Sequence, residues 1–252
     1  NHALSAHFYL GQMYFADGNS DAAIPQYLFT VSKERNAFTE QALSRISELY
    51  LVKRDYQNAL PYLERLAIEG DFPQNIIFAL TNSMKASYEL KQYTEAVAYA
   101  EKVLANSRID NTIKSDAQVI IARSAMQTGN EEKAKAAYIE VSKISSGKLA
   151  AEALYYKAYF KNKEGEFAAS NDTIQVLAKD FSGYKFYGAK SLVLMAQNFY
   201  ALGDAFQASY ILESVIANFK DYPDVLEEAK VDLAAIKATE AKTNSSIETD
   251  EN

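Results

Sequence analysis

The sequence predicts an all-α protein assembled from repeated pairs of helices. Three observations lead to this fold class. The 252 residues include only 9 glycines and 4 prolines, and the helix formers Ala, Leu, Glu and Lys are abundant. Alternating runs rich in valine or threonine, which would indicate strands, are almost absent. One short sequence phrase also recurs along the chain, which is typical of a repeat architecture.

The recurring phrase is a small residue, a short polar turn, an aromatic and then an alanine, and its first and last residues are twelve positions apart. The six copies, each named by its first and last residue, are Gly11–Ala23, Ser47–Ala59, Met84–Ala96, Ala122–Ala134, Ala158–Ser170 and Ala196–Ala208. The last residues follow one another at steps of 36, 37, 38, 36 and 38. The fifth copy departs from the pattern, with Lys161 where an aromatic is expected and Ser170 in place of alanine. Because one helix pair cannot bury its apolar face alone, the pairs are expected to stack.

Apolar periodicity and turn residues together predict thirteen helices, that is, six pairs and a final capping helix. The predicted helices cover residues 3–16, 20–33, 37–52, 56–68, 73–90, 93–106, 110–128, 131–144, 148–164, 167–180, 184–202, 205–219 and 223–240. The last of them has one apolar and one charged face, which suits a cap. Residues 1–242 are expected to form one repeat domain, and the polar, acidic residues 243–252 a disordered tail.

The phrase resembles the tetratricopeptide repeat, in which Leu-Gly-x2-Tyr precedes a conserved alanine position. Leu10, Gly11 and Tyr14, followed by Ala23, give the closest match, and the resemblance covers about residues 3–220. It implies a right-handed α-α superhelix of about six helix pairs with a C-terminal capping helix. The period of 36–38 residues is longer than the family's 34. Such long, tyrosine-rich, cysteine-free repeats resemble those of bacterial cell-envelope proteins, which implies a periplasmic or envelope location.

Composition argues against several classes of function. The net charge is −7 and no basic stripe stands out, so a nucleic-acid surface is not expected. The absence of cysteine excludes disulfides and thiolate chemistry. The longest apolar runs are about five residues, whereas a membrane helix needs about 20. His2 and His7 could form a metal pair, but a frayed helix end is the simpler interpretation. No catalytic residue, metal or cofactor is therefore predicted.

The resemblance also implies where a partner would bind, because the first helix of each pair lines the concave face in this family. The partner-binding residues predicted in this way are Phe8, Gln12, Phe15, Glu48, Lys85, Tyr88, Arg123, Met126, Tyr155, Tyr159, Gln197 and Tyr200. Aromatic residues of this kind are typical interface anchors. The alternative is that many of the aromatics simply pack between helices. The carboxylate clamp of chaperone-binding members is not expected, because Phe8 and Gln12 stand where it needs other residues.

We therefore expect a non-enzymatic scaffold that binds a peptide or a helix of a partner protein in its concave groove. Two alternatives stay open. The first is a structural module of a longer cell-envelope protein, with possible self-association through the N-terminal helix, which is apolar almost all round. The second is an enzyme or small-ligand binder with a pocket in the superhelix. The identity of the protein partner is not predicted; nucleic acid and a transmembrane segment are not expected.

Overall fold

The computed structural model describes the backbone of residues 2–250 and the side chains of residues 2–242. In this range the chain forms thirteen α-helices. They are α1 (His2–Ala16), α2 (Ser20–Val31), α3 (Thr39–Val52), α4 (Tyr56–Glu69), α5 (Pro73–Glu89), α6 (Tyr93–Leu104), α7 (Asn111–Gln127), α8 (Glu131–Ile144), α9 (Gly147–Lys163), α10 (Phe167–Asp180), α11 (Lys185–Ala201), α12 (Ala205–Asn218) and α13 (Pro223–Asp250). The predicted all-α class is confirmed. The predicted helix ends agree within about two residues, except at the C-terminal end of α13.

Residues 1–137 and residues 138–252 form two compact units. In the first unit the helices from α1 to α7 pack one against the next in chain order, and in the second unit those from α9 to α13 do the same. The prediction of one repeat domain over 1–242 stays a prediction. The helix α13 continues to Asp250, into the segment predicted as a disordered tail. The side chains of 243–250 and residues 251–252 lie outside the described residues, so that prediction also stays untested.

Each helix pair is closed where the two ends of the recurring phrase meet. The first helix of a pair is called its A helix and the second its B helix. The residues of the phrase that have no exposed surface are Ser47, Met84, Ala122, Ala158 and Ala196 on A helices, and Ala23, Ala59, Ala96, Ala134, Ser170 and Ala208 on B helices. Gly11 shows the reason, because a Cβ built there would lie 2.8 Å from Cε1 of Tyr27. Small residues therefore let the two backbones approach, and a large neighbour fills the remaining space.

The turn between the A and B helices is closed in the same way in six copies. Five residues before the buried small residue of the B helix, the backbone is left-handed, at Gly18, Arg54, Lys91, Gly129, Gly165 and Gly203. In the last copy the Gly203 N–H donates to the Tyr200 carbonyl at 3.0 Å, and the Asp204 N–H donates to the Phe199 carbonyl at 2.9 Å. These bonds satisfy carbonyls at the end of the A helix, as in a Schellman motif. The Asp204 carboxylate then caps the B helix by accepting the Gln207 N–H at 2.9 Å.

The departures of the fifth copy from the pattern are balanced by hydrogen bonds. Ser170 Oγ donates to the Ala158 carbonyl at 2.8 Å and accepts from Asn198 Nδ2 on the next A helix at 2.9 Å. Lys161 Nζ donates to the Ala169 carbonyl at 3.1 Å. Because buried polar groups are costly only when they lack partners, the fifth pair keeps its packing with polar residues at two positions of the phrase.

Substituting glycine for Arg54 or Lys91 is expected to stabilise the protein. Arg54 has φ 54° and Lys91 has φ 60°. A left-handed residue other than glycine costs about 1–2 kcal/mol, whereas the extra freedom of glycine in the unfolded chain costs about 0.5–1 kcal/mol. Each substitution should therefore raise the free energy of unfolding by about 0.5–1 kcal/mol, measured by urea denaturation.

The matched control for these turn variants is Gly203→Ala, because Gly203 has φ 88° at the equivalent position. This variant should lose about 1 kcal/mol of unfolding free energy. A loss of stability in Arg54→Gly and Lys91→Gly would contradict the proposed equivalence of the six turns.

Candidate partner-binding surface

The predicted partner-binding residues all lie on A helices, on α1, α3, α5 and α7 in the first unit and on α9 and α11 in the second. Ten of the twelve keep part of their side chain exposed. The other two, Phe8 and Tyr155, are only 4% and 7% exposed. These two residues therefore belong to the interior of the protein.

Phe8 is a core residue of the first unit and not part of its surface. Its ring stacks on Phe38 with 4.6 Å between centroids and lies 6.1 Å from the ring of Tyr27. Phe38 precedes α3, so the ring of Phe8 fills the space between the first and second helix pairs. The alternative interpretation of the aromatics, packing between helices, holds at this position.

Tyr155 is likewise buried, in the core of the second unit. Its ring lies 5.0 Å from that of Tyr156 and 6.2 Å from that of Tyr187, and Lys190 Nζ lies 4.8 Å from its centroid. Burial raises the pKa of Tyr155, because the phenolate would lose its hydration; the neighbouring Tyr156 acts in the same direction. Tyr155 is thus a neutral packing residue under physiological conditions.

In the first unit, Phe15 and Glu48 are brought together by Arg45. The Arg45 guanidinium lies 4.5 Å from the centroid of the Phe15 ring, and its Nη1 is 2.8 Å from Glu48 Oε2. Beneath them, burial raises the pKa of Tyr27 to about 12; the positive charge of Arg45 opposes this shift and Glu48 adds to it. Phe15 and Glu48 both hold the planar cation in one orientation, with part of each side chain open to a partner. Gln12 lies one turn before Phe15 and is also half-buried.

Further along the first unit, α5 and α7 carry a charged pair beside an aromatic pair. Lys85 Nζ is 2.6 Å from Asp116 Oδ2. The Tyr88 ring meets that of Tyr93 edge to face, with 5.7 Å between centroids. An exposed pair such as Lys85 and Asp116 contributes about 0–1 kcal/mol, so both charges can turn to a partner at little cost. The partly exposed Arg123 and Met126 lie on α7.

In the second unit, the exposed residues form two separate contacts. The Tyr159 ring packs edge to face against Tyr156 at 6.0 Å. Gln197 Nε2 donates to Asp232 Oδ2 of α13 at 2.8 Å. Gln197 and Tyr200 border a shallow cleft of about 210 Å³ between α11 and α13. The capping helix therefore contributes to the surface around Tyr200.

Several residues that contact the predicted set were missed by sequence reasoning. Arg45 contacts Phe15 and Glu48, Asp116 contacts Lys85, and Asp232 contacts Gln197. Arg45 is only three residues from Glu48, whereas the other two contacts join residues roughly one repeat apart. Asp116 follows Lys85 by 31 residues, and Asp232 follows Gln197 by 35. Complementary polar residues at that spacing were a usable signal.

His7 contacts two residues of α2. His7 Nδ1 is 2.7 Å from Gln26 Oε1, and its ring stacks on Phe29 at 3.8 Å. Among the described residues there is no group of three or more histidine and acidic side chains that could hold a metal ion. In the same part of the chain, none of the helices combines the length and the apolar character required to span a membrane.

The helix pairs and their turns define the tetratricopeptide-repeat fold. Residues 190–222 match the family model for the tetratricopeptide repeat. A tetratricopeptide-repeat protein from Parabacteroides merdae is similar in structure, with 12% identity and a TM-score of 0.52 over 91% of this chain and all of that one. PilF of Pseudomonas aeruginosa has 15% identity and a TM-score of 0.57, over 92% of this chain and 98% of that one. No curated protein matches the sequence.

A third similar structure is a signal transduction ATPase with a tetratricopeptide repeat sensor, from Pyrococcus horikoshii. It has 16% identity and a TM-score of 0.64, over 94% of this chain but only 39% of the ATPase. Together these likenesses confirm the predicted fold of six helix pairs and a capping helix. The chain thus matches the tetratricopeptide repeat model at residues 190–222 and has a tetratricopeptide-like all-α fold.

Truncating Tyr155 is expected to destabilise the protein far more than truncating Tyr200. Tyr155→Ala removes a ring that is only 7% exposed, so it should cost about 3 kcal/mol of unfolding free energy. Tyr200→Ala removes a partly exposed ring and should cost about 1 kcal/mol. Urea denaturation of the two variants measures the difference. Equal losses would contradict the assignment of Tyr155 to the core.

Proposed function

We propose that this chain is a non-enzymatic scaffold whose A helices bind a peptide or a helix of a partner protein. The observation that carries the proposal is the half-exposed state of aromatic side chains beside charged ones on these helices. Phe15 lies against Arg45, and Tyr159 lies 5.4 Å from the Nζ of Lys163. Aromatic and arginine side chains of this kind dominate the energetics of protein interfaces.

Contacts within the chain favour this surface as a binding site because they orient its side chains before a partner arrives. Tyr88 rests on Tyr93, and Gln197 is held by Asp232. A side chain that is already fixed loses less conformational entropy on binding. Tyrosine also offers a large contact area with few rotatable bonds. Phe8 and Tyr155 are left out of the proposed surface because they are buried.

The proposal includes three features that the resemblance to tetratricopeptide repeats implies: the position of the groove, the type of repeat and the location of the protein. The groove would lie on the concave side of the array, and the chain would be of the bacterial type with repeats of 36–38 residues. A cell-envelope location is part of this proposal. The partner is a protein, and its identity is left to the experiment.

Removing three exposed tyrosines from A helices is expected to abolish partner capture. The variant Tyr88→Ala, Tyr159→Ala, Tyr200→Ala loses rings that are only partly buried, so the fold should survive. Anchor residues contribute about 2 kcal/mol or more each, so captured partner should fall by at least tenfold. The measurement is affinity capture from a lysate of the source organism, quantified by mass spectrometry at matched helicity and Tm.

The matched control for this capture experiment is Tyr210→Ala, Phe206→Ala on the B helix α12. Tyr210 is 62% exposed and Phe206 is 81% exposed, so this variant removes aromatic surface away from the A helices. It should capture the partner as the unmodified chain does. Capture that is equal in all three baits, or absent from all, would count against the A-helix surface.

A second candidate function, self-association, is favoured by the exposed face of α1. Tyr9 is 60% exposed, Leu10 37% and Met13 63%. In the later A helices the positions equivalent to Met13 are buried, at Leu49, Ala86, Ser124, Phe160 and Asn198. The face of α1 therefore lacks the cover that its counterparts have, and a second copy could supply it.

If α1 mediates self-association, Met13→Glu should reduce it. A charge at this exposed position would lie within the apolar contact, and the dissociation constant should rise by at least tenfold. Sedimentation equilibrium over a range of concentrations measures the change. A mass equal to one chain at every concentration would remove this second candidate.

A further inference from the structure

The A-helix surface of the second unit carries two lysines that lie against aromatic rings. Lys190 Nζ on α11 is 4.8 Å from the centroid of Tyr155 and 5.9 Å from that of Phe186. Lys163 Nζ at the end of α9 is 5.4 Å from the centroid of Tyr159. Within residues 2–242 neither lysine forms a side-chain hydrogen bond or an ion pair. The rings therefore orient two ammonium groups whose charge is not neutralised by a carboxylate of this part of the chain.

An ion pair in the first unit shows how the chain treats the equivalent position of another repeat. Lys190 and Asp116 both lie six residues before the small residue of the recurring phrase on their A helix. Asp116 pairs with Lys85, the residue that follows the small position on the preceding A helix. The residue at that position before Lys190 is the uncharged Tyr159. The charge of Lys190 therefore stays open to water or to a partner.

Two carboxylates on α13 border the same surface. Gln197 Nε2 of α11 donates to Asp232 Oδ2 at 2.8 Å and to Glu228 Oε1 at 3.4 Å, so one neutral amide serves both groups. Glu228 and Asp232 are four residues apart and lie on one side of α13. In the part of the chain whose side chains are described, no lysine or arginine forms an ion pair with either carboxylate. Two negative charges therefore lie side by side, held by an uncharged group.

The positive and negative groups come close to one another around Tyr155. Burial is the largest cause of the raised pKa of Tyr155, and Tyr156 and then the negative charge of Glu228 add to it. Glu228 is therefore within electrostatic reach of the ring that Lys190 covers. Lys190 and Glu228 nevertheless form no ion pair with each other, since each is held by a different neutral group.

The sequence composition of these helices follows the same division. Together α9 and α11 contain six lysines and one acidic residue, the buried Glu152, although the whole chain has a net charge of −7. Residues 223–242 of α13 contain five acidic and three basic residues. The lysines are spread over two helices that are separated in sequence, so they form no continuous basic run. An anionic group is attracted to α9 and α11, and a cationic group to α13.

We propose that this surface binds a partner segment whose charges are divided in the complementary sense, with acidic residues over α9 and α11 and basic residues over α13. The inference rests on the proposed function, because it names the kind of segment that the A helices would hold. Lys163 and Lys190 would pair with the acidic residues, and Glu228 and Asp232 with the basic ones. Tyr159 would contact the uncharged residues of the segment.

The helix spacing sets the expected distance between the two charged parts of the segment. In the second unit α9 packs against α11, and α11 packs against α13. Packed helices lie about 8–10 Å apart, so α9 and α13 are separated by about 16–20 Å. An extended chain covers this distance with about five to six residues. The acidic and basic residues of an extended partner segment should therefore be about five to six positions apart.

The first test selects binders from a display library of random peptides on the intact chain. The enriched peptides should carry acidic residues in one half and basic residues in the other, about five to six positions apart. Enriched peptides without this charge pattern would overturn the inference and leave the proposed peptide-binding function standing. Recovery of no peptide above the level of a surface without protein would count against both.

Neutral variants test which side chains contact the most enriched peptide. The double variant Lys163→Gln, Lys190→Gln and the double variant Glu228→Gln, Asp232→Asn each remove two partly or fully exposed charges, so the fold should be unaffected. Each should weaken binding by at least tenfold, because two charge-assisted contacts are lost. Fluorescence anisotropy of the labelled peptide measures the change, with helicity and Tm matched to the unmodified chain.

The matched control for the lysine variant is Lys157→Gln, Lys179→Gln. Both lysines are exposed; Lys157 lies on α9 two residues before Tyr159 and so on another face, and Lys179 lies on the B helix α10. This control changes the net charge by the same amount and should bind the peptide as the unmodified chain does. Equal weakening in both lysine variants would reduce the effect to net charge and refute the proposed surface.

Charge reversal tests direct pairing. The variant Lys163→Glu, Lys190→Glu should lose the selected peptide but bind a version in which lysine replaces the acidic residues. Only a folded chain can regain binding, so this result cannot come from damage to the fold. Failure to regain binding at unchanged helicity would contradict the placement of the acidic residues over α9 and α11. If the reversed chain does not fold, the neutral variants decide.

Discussion

The close approach of two helices at buried residues, most of them small, determines the geometry of the repeats in this protein. Gly11 shows how tight the contact is, since the Tyr27 ring occupies the place where its side chain would lie. Larger residues at such positions would force the helices apart. Each such substitution is expected to lower the free energy of unfolding by about 1–3 kcal/mol, the usual cost of overpacking. The left-handed turn five residues before the buried B-helix residue fixes the same register in each copy. Together, contact and turn leave the A and B helices one way to pack.

Once the pairs are fixed, polar contacts between successive A helices determine what the exposed surface presents. Lys85 reaches Asp116, and in the second unit Asn162 Nδ2 donates to Asn198 Oδ1 at 2.7 Å. An exposed ion pair such as that of Lys85 and Asp116 contributes little to stability. Their effect is to hold side chains in one orientation. The helix packing therefore supplies the stability, and the polar pairs supply the shape of the surface.

The fold could be predicted from the sequence because its causes are local and repeated. A glycine such as Gly165 or Gly203, a helix cap and a buried alanine recur at fixed spacing, so each copy supports the others. The surface could be predicted only in part. Phe8 and Tyr88 both look like aromatic residues of an A helix, yet Phe8 stacks on Phe38 and Tyr88 stays half-exposed. That difference depends on contacts with residues that are not part of the recurring phrase. The spacing of residues within one repeat therefore does not reveal it.

Departures from the repeat pattern fall into two physical classes, according to whether the new polar group has a hydrogen-bond partner within the chain. Ser170 replaces an alanine, but its hydroxyl bonds to Ala158 and Asn198, so packing explains it. Ser191 also replaces an alanine, and its hydroxyl has no partner among the described residues. A departure that the interior satisfies needs no further cause. The hydroxyls of five other serines on A helices are likewise buried without a partner among the described residues, at Ser47, Ser83, Ser87, Ser115 and Ser124. What these serines share is a side chain small enough for closely packed helices, so the tightness of helix packing explains the departure at Ser191 as well.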